Sequence, residues 1–105
     1  MSTTADQPIL DLLGEMTLDS IERSDLDPQT VMLVRLAALV AVQAPPASYV
    51  MNLAVAKDVG LTAEQIQSVL LAVSPIVGTP HVVAAIGNIA RGLGMVIEAL
   101  DEETE

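Results

Sequence analysis

From Val31 to Val42 the chain reads VMLVRLAALVAV, apolar on every side of a helix except at Arg35. A helix without a polar face is one surrounded by protein, so this stretch is the expected central helix. Asp27 offers a capping carboxylate, and Pro28 takes the one helical position where an amide hydrogen is not needed. Gln43-Ala44-Pro45-Pro46 stops it, since two consecutive prolines cannot continue a helix. The guanidinium of Arg35 needs an acceptor, because an unpaired buried charge is strongly unfavourable.

The remaining composition fits helices around that stretch. With 105 residues the chain is one domain. Hydrophobic residues make up 51%, with one Tyr and no Phe or Trp, so Ala, Val, Leu, Ile and Met must fill the core. That apolar share exceeds what a small globule hides, and burial between subunits is the simplest outlet. A homo-oligomer is expected. The net charge of -10 sits at the ends: residues 1–27 carry seven acids against Arg23, and residues 98–105 carry five acids and no base. Such flanks read as solubilising, or as docking tails for a basic partner. Nucleic acid is not expected as a partner, because phosphate binding needs clustered Lys and Arg.

The chain has no cysteine, which removes disulfides, thiolate metal sites and thiol redox chemistry. One histidine cannot build a zinc site, and the carboxylates are not spaced as a calcium loop. No metal and no cofactor are expected. The start MSTTADQP lacks a basic and apolar leader, which points to the cytoplasm. Prolines interrupt both long uncharged runs, so no membrane span is expected.

The reading along the chain is all-α, a compact domain of five to six helices. Residues 1–7 form a small, polar, disordered tail, residues 8–100 the domain, and residues 101–105 an acidic tail. Pro8 to Met16 and Thr17 to Ser24 suggest two short helices lying on the body. Pro46 to Val59 suggests a helix closed by Gly60. Thr62-Ala63-Glu64-Gln65 fits a capping box opening a helix that Pro75 ends. A last helix is expected from Thr79 or Pro80 to about Leu100, with Val82, Ile86, Ile89, Leu93, Val96 and Leu100 as its stripe. Gly92 and Gly94 have two readings, close approach of another helix or a frayed, kinked end.

The segments LDPQTVMLVRLAALVAVQAPP and AVAKDVGLTAEQIQSVLLAVSPIVGTP, with the Gly60-Leu61-Thr62 turn and the Gly78-Thr79-Pro80 bend as their most specific parts, resemble the carboxymuconolactone decarboxylase and alkylhydroperoxidase-D-like superfamily. The resemblance covers about two thirds of the chain. It implies an all-helical fold assembled into dimers, trimers or hexamers, with pockets near subunit contacts. The family's catalytic positions do not follow. Where peroxidase members have two cysteines and a histidine, this chain has Pro45, Ser48 and Asn52. The glutamate, histidines and tyrosine that the resemblance implies for a lactone decarboxylase are replaced by Ser48, Asn52, Ala84 and Ile76.

His81 is the candidate catalytic residue, being the side chain that titrates nearest neutrality and lying three residues before Ala84. Its other reading is a surface or structural residue at a helix start. Arg35 either grips a substrate carboxylate or pairs with Asp58, Glu64 or an amino-terminal acid. Tyr49 offers a hydroxyl to a pocket beside Asn52, or packs with its oxygen at the surface. Ser48 and Asn52 can hydrogen-bond to a substrate but do not shuttle protons near neutral pH. Met16, Met32, Met51 and Met95 are expected core filler.

Two functions fit. One is an oligomer whose small pocket, lined by Tyr49, Asn52 and His81, takes an organic acid or lactone, any activity being acid-base and decarboxylase-like. The other is a catalytically inactive structural or interaction module with its acidic ends facing partners. Peroxidase activity lacks its sulfur.

Overall fold

The structure, a computed structural model, describes residues 7–104, with side chains described through Met95 and at Ile97. Five helices follow one another: α1 (Gln7–Arg23), α2 (Pro28–Ala41), α3 (Pro46–Asp58), α4 (Ala63–Val77) and α5 (Thr79–Thr104). Of the tail expected at residues 1–7, residues 1–6 lie outside the described residues, as do the side chains of Val96 and Leu100, whereas Gln7 already belongs to α1.

Local signals set most boundaries. Asp27 accepts the Thr30 amide hydrogen at 2.7 Å, and this bond holds its carboxyl below the usual carboxylate range. At α4 the box is complete: Gln65 N–H donates to Thr62 Oγ1 at 3.1 Å, and Thr62 N–H donates to Gln65 Oε1 at 2.8 Å. The ends of α2 and α3 share one geometry. Leu61 N–H returns to the Ala56 carbonyl and Gly60 N–H to that of Lys57, with Gly60 at φ 84°. In α2, Ala44 N–H reaches Leu39 and Gln43 N–H reaches Val40, with Gln43 at φ 58°. Both are left-handed caps, so α2 ends four residues before the first proline. Gln43 carries a Cβ where glycine would be unstrained. Gln43→Gly should therefore stabilise the fold by about 0.5–1 kcal/mol in urea unfolding.

Three sequence expectations are corrected. The two short amino-terminal helices are one, because nothing between Met16 and Thr17 breaks a helix. Pro75 lies inside α4, which continues to Val77 and ends at Gly78, φ 89°. The amide bond Pro75 lacks would have gone to Leu71, on the exposed side of the helix, where water can serve its carbonyl. The last helix runs on through Asp101 to Thr104.

Helix α2 sits among α3, α4 and α5, and α3 packs most extensively on α5. Leu36, Ala44, Tyr49 and Leu53 form the buried cluster, with Leu39, Ile66, Val69 and Ile89 around it. Gln29 Nε2 donates to the Val59 carbonyl at 2.8 Å and Asn88 Nδ2 to the Ala44 carbonyl at 3.3 Å, which tie the start of α2 to the end of α3, and α5 to the α2–α3 loop. Of the methionines expected as filler, Met32 is buried, whereas Met16, Met51 and Met95 are exposed. Helix α1 buries no residue, and Ile9, Leu10, Leu12, Leu13 and Met16 stand in solvent.

Candidate functional site

The residues singled out from the sequence lie in separate places. Arg35 is half-buried on α2, and its Nη2 donates to Ser20 Oγ at 2.7 Å and more weakly to the Thr17 carbonyl at 3.4 Å, both on α1. Its expected ion pair with Asp58, Glu64 or an amino-terminal acid is replaced by a hydroxyl and a backbone carbonyl. Among the described residues the ion pair found is Arg23 with Asp19, exposed and one turn apart on α1, a class worth little to stability. Arg35 thus acts as the tether of α1.

Tyr49 is 0% exposed, the largest side chain sealed in the core, and its hydroxyl oxygen has no hydrogen-bond partner. Neither expectation for it, a pocket hydroxyl or an oxygen at the surface, matches this position. Burial pushes its phenol pKa above the ordinary 10.0. Asn52 Nδ2 turns back to the Ser48 carbonyl at 2.9 Å, one turn earlier on α3, and so braces its own helix. Ser48 is half-buried beside it. His81 is half-buried in the first turn of α5, just past the Gly78-Thr79-Pro80 bend.

Concave space lies elsewhere. A groove of about 350 Å³ runs between α4 and α5, with Leu53, Ile66 and Leu70 on one side, Ile86, Ile89 and Leu93 on the other, and Gln67 as the polar residue in its wall. A second cleft of about 360 Å³ shares Gln67, Leu70 and Ile86 and extends it toward Ser74 and Val82. His81, Arg35, Tyr49, Asn52 and Ser48 line neither. The Ser74 hydroxyl is already committed, donating to the Leu70 carbonyl at 2.6 Å. Among the described residues, no His, Asp and Glu side chains gather as metal ligands. The sequence reading missed this groove because it took Ile86 and Leu93 as core-facing, although both stand half open to solvent.

An all-helical body with a capped α4, the glycine turn at Gly60 and the bend at Gly78 agrees with what the family model detects: residues 7–90 match the carboxymuconolactone decarboxylase family. The chain belongs to that family. It is a cysteine-free carboxymuconolactone decarboxylase family protein, so thiol peroxidase chemistry has no nucleophile here. No curated protein and no solved structure matches the chain. No helix of the described residues is long and apolar enough to cross a membrane.

Proposed function

We propose that this protein is a non-catalytic, homo-oligomeric member of its family, an assembly and interaction module. The observation that carries the reading is the dispersal of its reactive side chains. Acid-base catalysis needs a proton-transferring side chain beside the pocket that holds the substrate. Here Arg35 is spent on α1, Asn52 on its own helix and Tyr49 on the core, while His81 lies outside both clefts. The acidic ends of the chain leave the apolar middle free for contact.

A second reading, favoured by the groove itself, is binding of a small lactone. An amide among apolar walls suits one neutral carbonyl, whereas a free organic acid would lose its hydration to a groove whose wall holds no cation. One experiment addresses both. Lactones and organic acids are incubated with the protein while proton uptake, ring opening and carbon dioxide release are followed, and binding is read by thermal shift. The expected result is no turnover with any compound, and at most a small stabilisation by lactones that Gln67→Leu removes. Turnover abolished in His81→Ala would overturn the non-catalytic reading.

A further inference from the structure

We propose that the face of α5 carrying Val83, Ile86, Ala90, Leu93 and Ile97 pairs with the same face of a second copy of this chain, the two helices running antiparallel. This rests on the assembled state proposed above and names the surface that makes it, one that closes over Ile86, Ala90 and Leu93 of the α4–α5 groove and so excludes the lactone reading. The five residues are separated by three, four, three and four positions, the 3.5-residue period of a two-stranded seam. A stripe made to face the core of its own domain is wider and follows 3.6. The geometry agrees with that division. Ala85 and Gly92 on α5 are buried, whereas Val83 is 61% exposed, Ile86 54%, Leu93 46% and Ile97 51%. A seam of this period is matched best by a helix with the same period, and a second copy supplies one.

Surface area and charge point to the same occupant. A compact monomer of 11.0 kDa exposes about 5,600 Å²; this chain exposes 7247 Å². The excess of about 1,600 Å², shared between this face and α1, which buries no residue, is enough for one partner's side of an interface. The radius of gyration, 14.4 Å against about 13 Å for a compact chain of this length, agrees. At a net charge of -10 two copies repel over most of their surfaces. Between Glu64 and Glu98 the sequence holds no acid, so on this face two copies meet without opposing carboxylates.

The same charges set the orientation. Glu98, Asp101, Glu102, Glu103 and Glu105 follow the seam, and parallel pairing would set two such groups side by side. Reflection through Ala90 instead brings Glu98 level with Val82 and Asp101 level with Thr79 at the start of the other α5, where the helix dipole is positive.

The absence of cysteine makes the test clean. Light scattering on the wild type should give at least a dimer mass. Under mild oxidation Ala90→Cys, at the midpoint of the seam, should become almost entirely disulfide-linked dimer, and Val83→Cys should stay unlinked. Ile86→Lys should fall to a single-copy mass with an unchanged helical circular dichroism spectrum. An assembled wild type in which Ala90→Cys does not link and Ile86→Lys stays assembled would overturn the seam and leave the oligomer standing. A single-copy wild type would remove both. Linking of Val83→Cys as complete as that of Ala90→Cys would overturn the antiparallel orientation.

Discussion

The Gly92→Ala protein should melt about 5–15 °C below the wild type, equivalent to about 1–2 kcal/mol for a chain of this size. Gly92 is buried where α5 crosses α3, and a Cβ built there would lie 3.0 Å from the Tyr49 Cβ and 3.2 Å from the Pro46 carbonyl oxygen. Neither neighbour is the loose end of a side chain. One is fixed to the backbone of α3 and the other belongs to it, so the added methyl forces the two helices apart along the most extensive contact in the molecule. Alanine recovers about 1 kcal/mol of helix propensity, which moderates the loss without cancelling it. Gly87→Ala is the control. A Cβ at Gly87 meets nothing within 4 Å, so propensity acts alone and the melting temperature should rise by a few degrees. Protein concentration must be held fixed throughout, because assembly makes the midpoint depend on it. Equal melting of Gly92→Ala and Gly87→Ala would contradict the packing described.

That pair of glycines also marks what a sequence can disclose. Asp27-Pro28, Thr62 with Gln65 and Gly60 were legible because each acts within a few residues of itself, through caps and turns the local chain completes. Gly92 and Gly94 are two residues apart and identical in type, yet only Gly92 has α3 against it. No local signal separates them. Gln43 reads as an ordinary polar residue and takes a left-handed cap that sequence would assign to glycine. Arg35 shows the same limit at the candidate site. Its need for an acceptor was plain, but the acceptor, Ser20 on the preceding helix, depends on how α1 lies across α2. The α4–α5 groove was overlooked for a different reason. A stripe at 3.6 and a seam at 3.5 share Ile86 and Leu93, and only the exposure of those two, with Val83 and Ile97, distinguishes them.

Tyr49 should give the most divergent pair of variants in the chain. Its ring fills the centre of the buried cluster, and Tyr49→Ala should cost about 3–5 kcal/mol, a large part of what a domain this size possesses. Tyr49→Phe keeps the ring and deletes an oxygen that is buried without a partner. An unpaired buried hydroxyl is unfavourable by about 1–3 kcal/mol, so this variant should be as stable as the wild type or more so in urea unfolding. The pH dependence follows from the same burial. Desolvation raises the folded-state pKa above 10.0, so the folded protein holds the phenol proton more tightly than the unfolded chain does. The stability this contributes is intact below about pH 10 and is lost as pH rises through the raised folded value. Wild-type stability should therefore fall above pH 10 more steeply than that of Tyr49→Phe. Tyr49 is the one tyrosine of the chain and there is no tryptophan, so tyrosinate absorbance near 295 nm reports this group alone and should appear together with loss of helix. Free titration of Tyr49 at its ordinary pKa in a still-helical protein would mean that the hydroxyl reaches water, and the sealed core described above would be wrong.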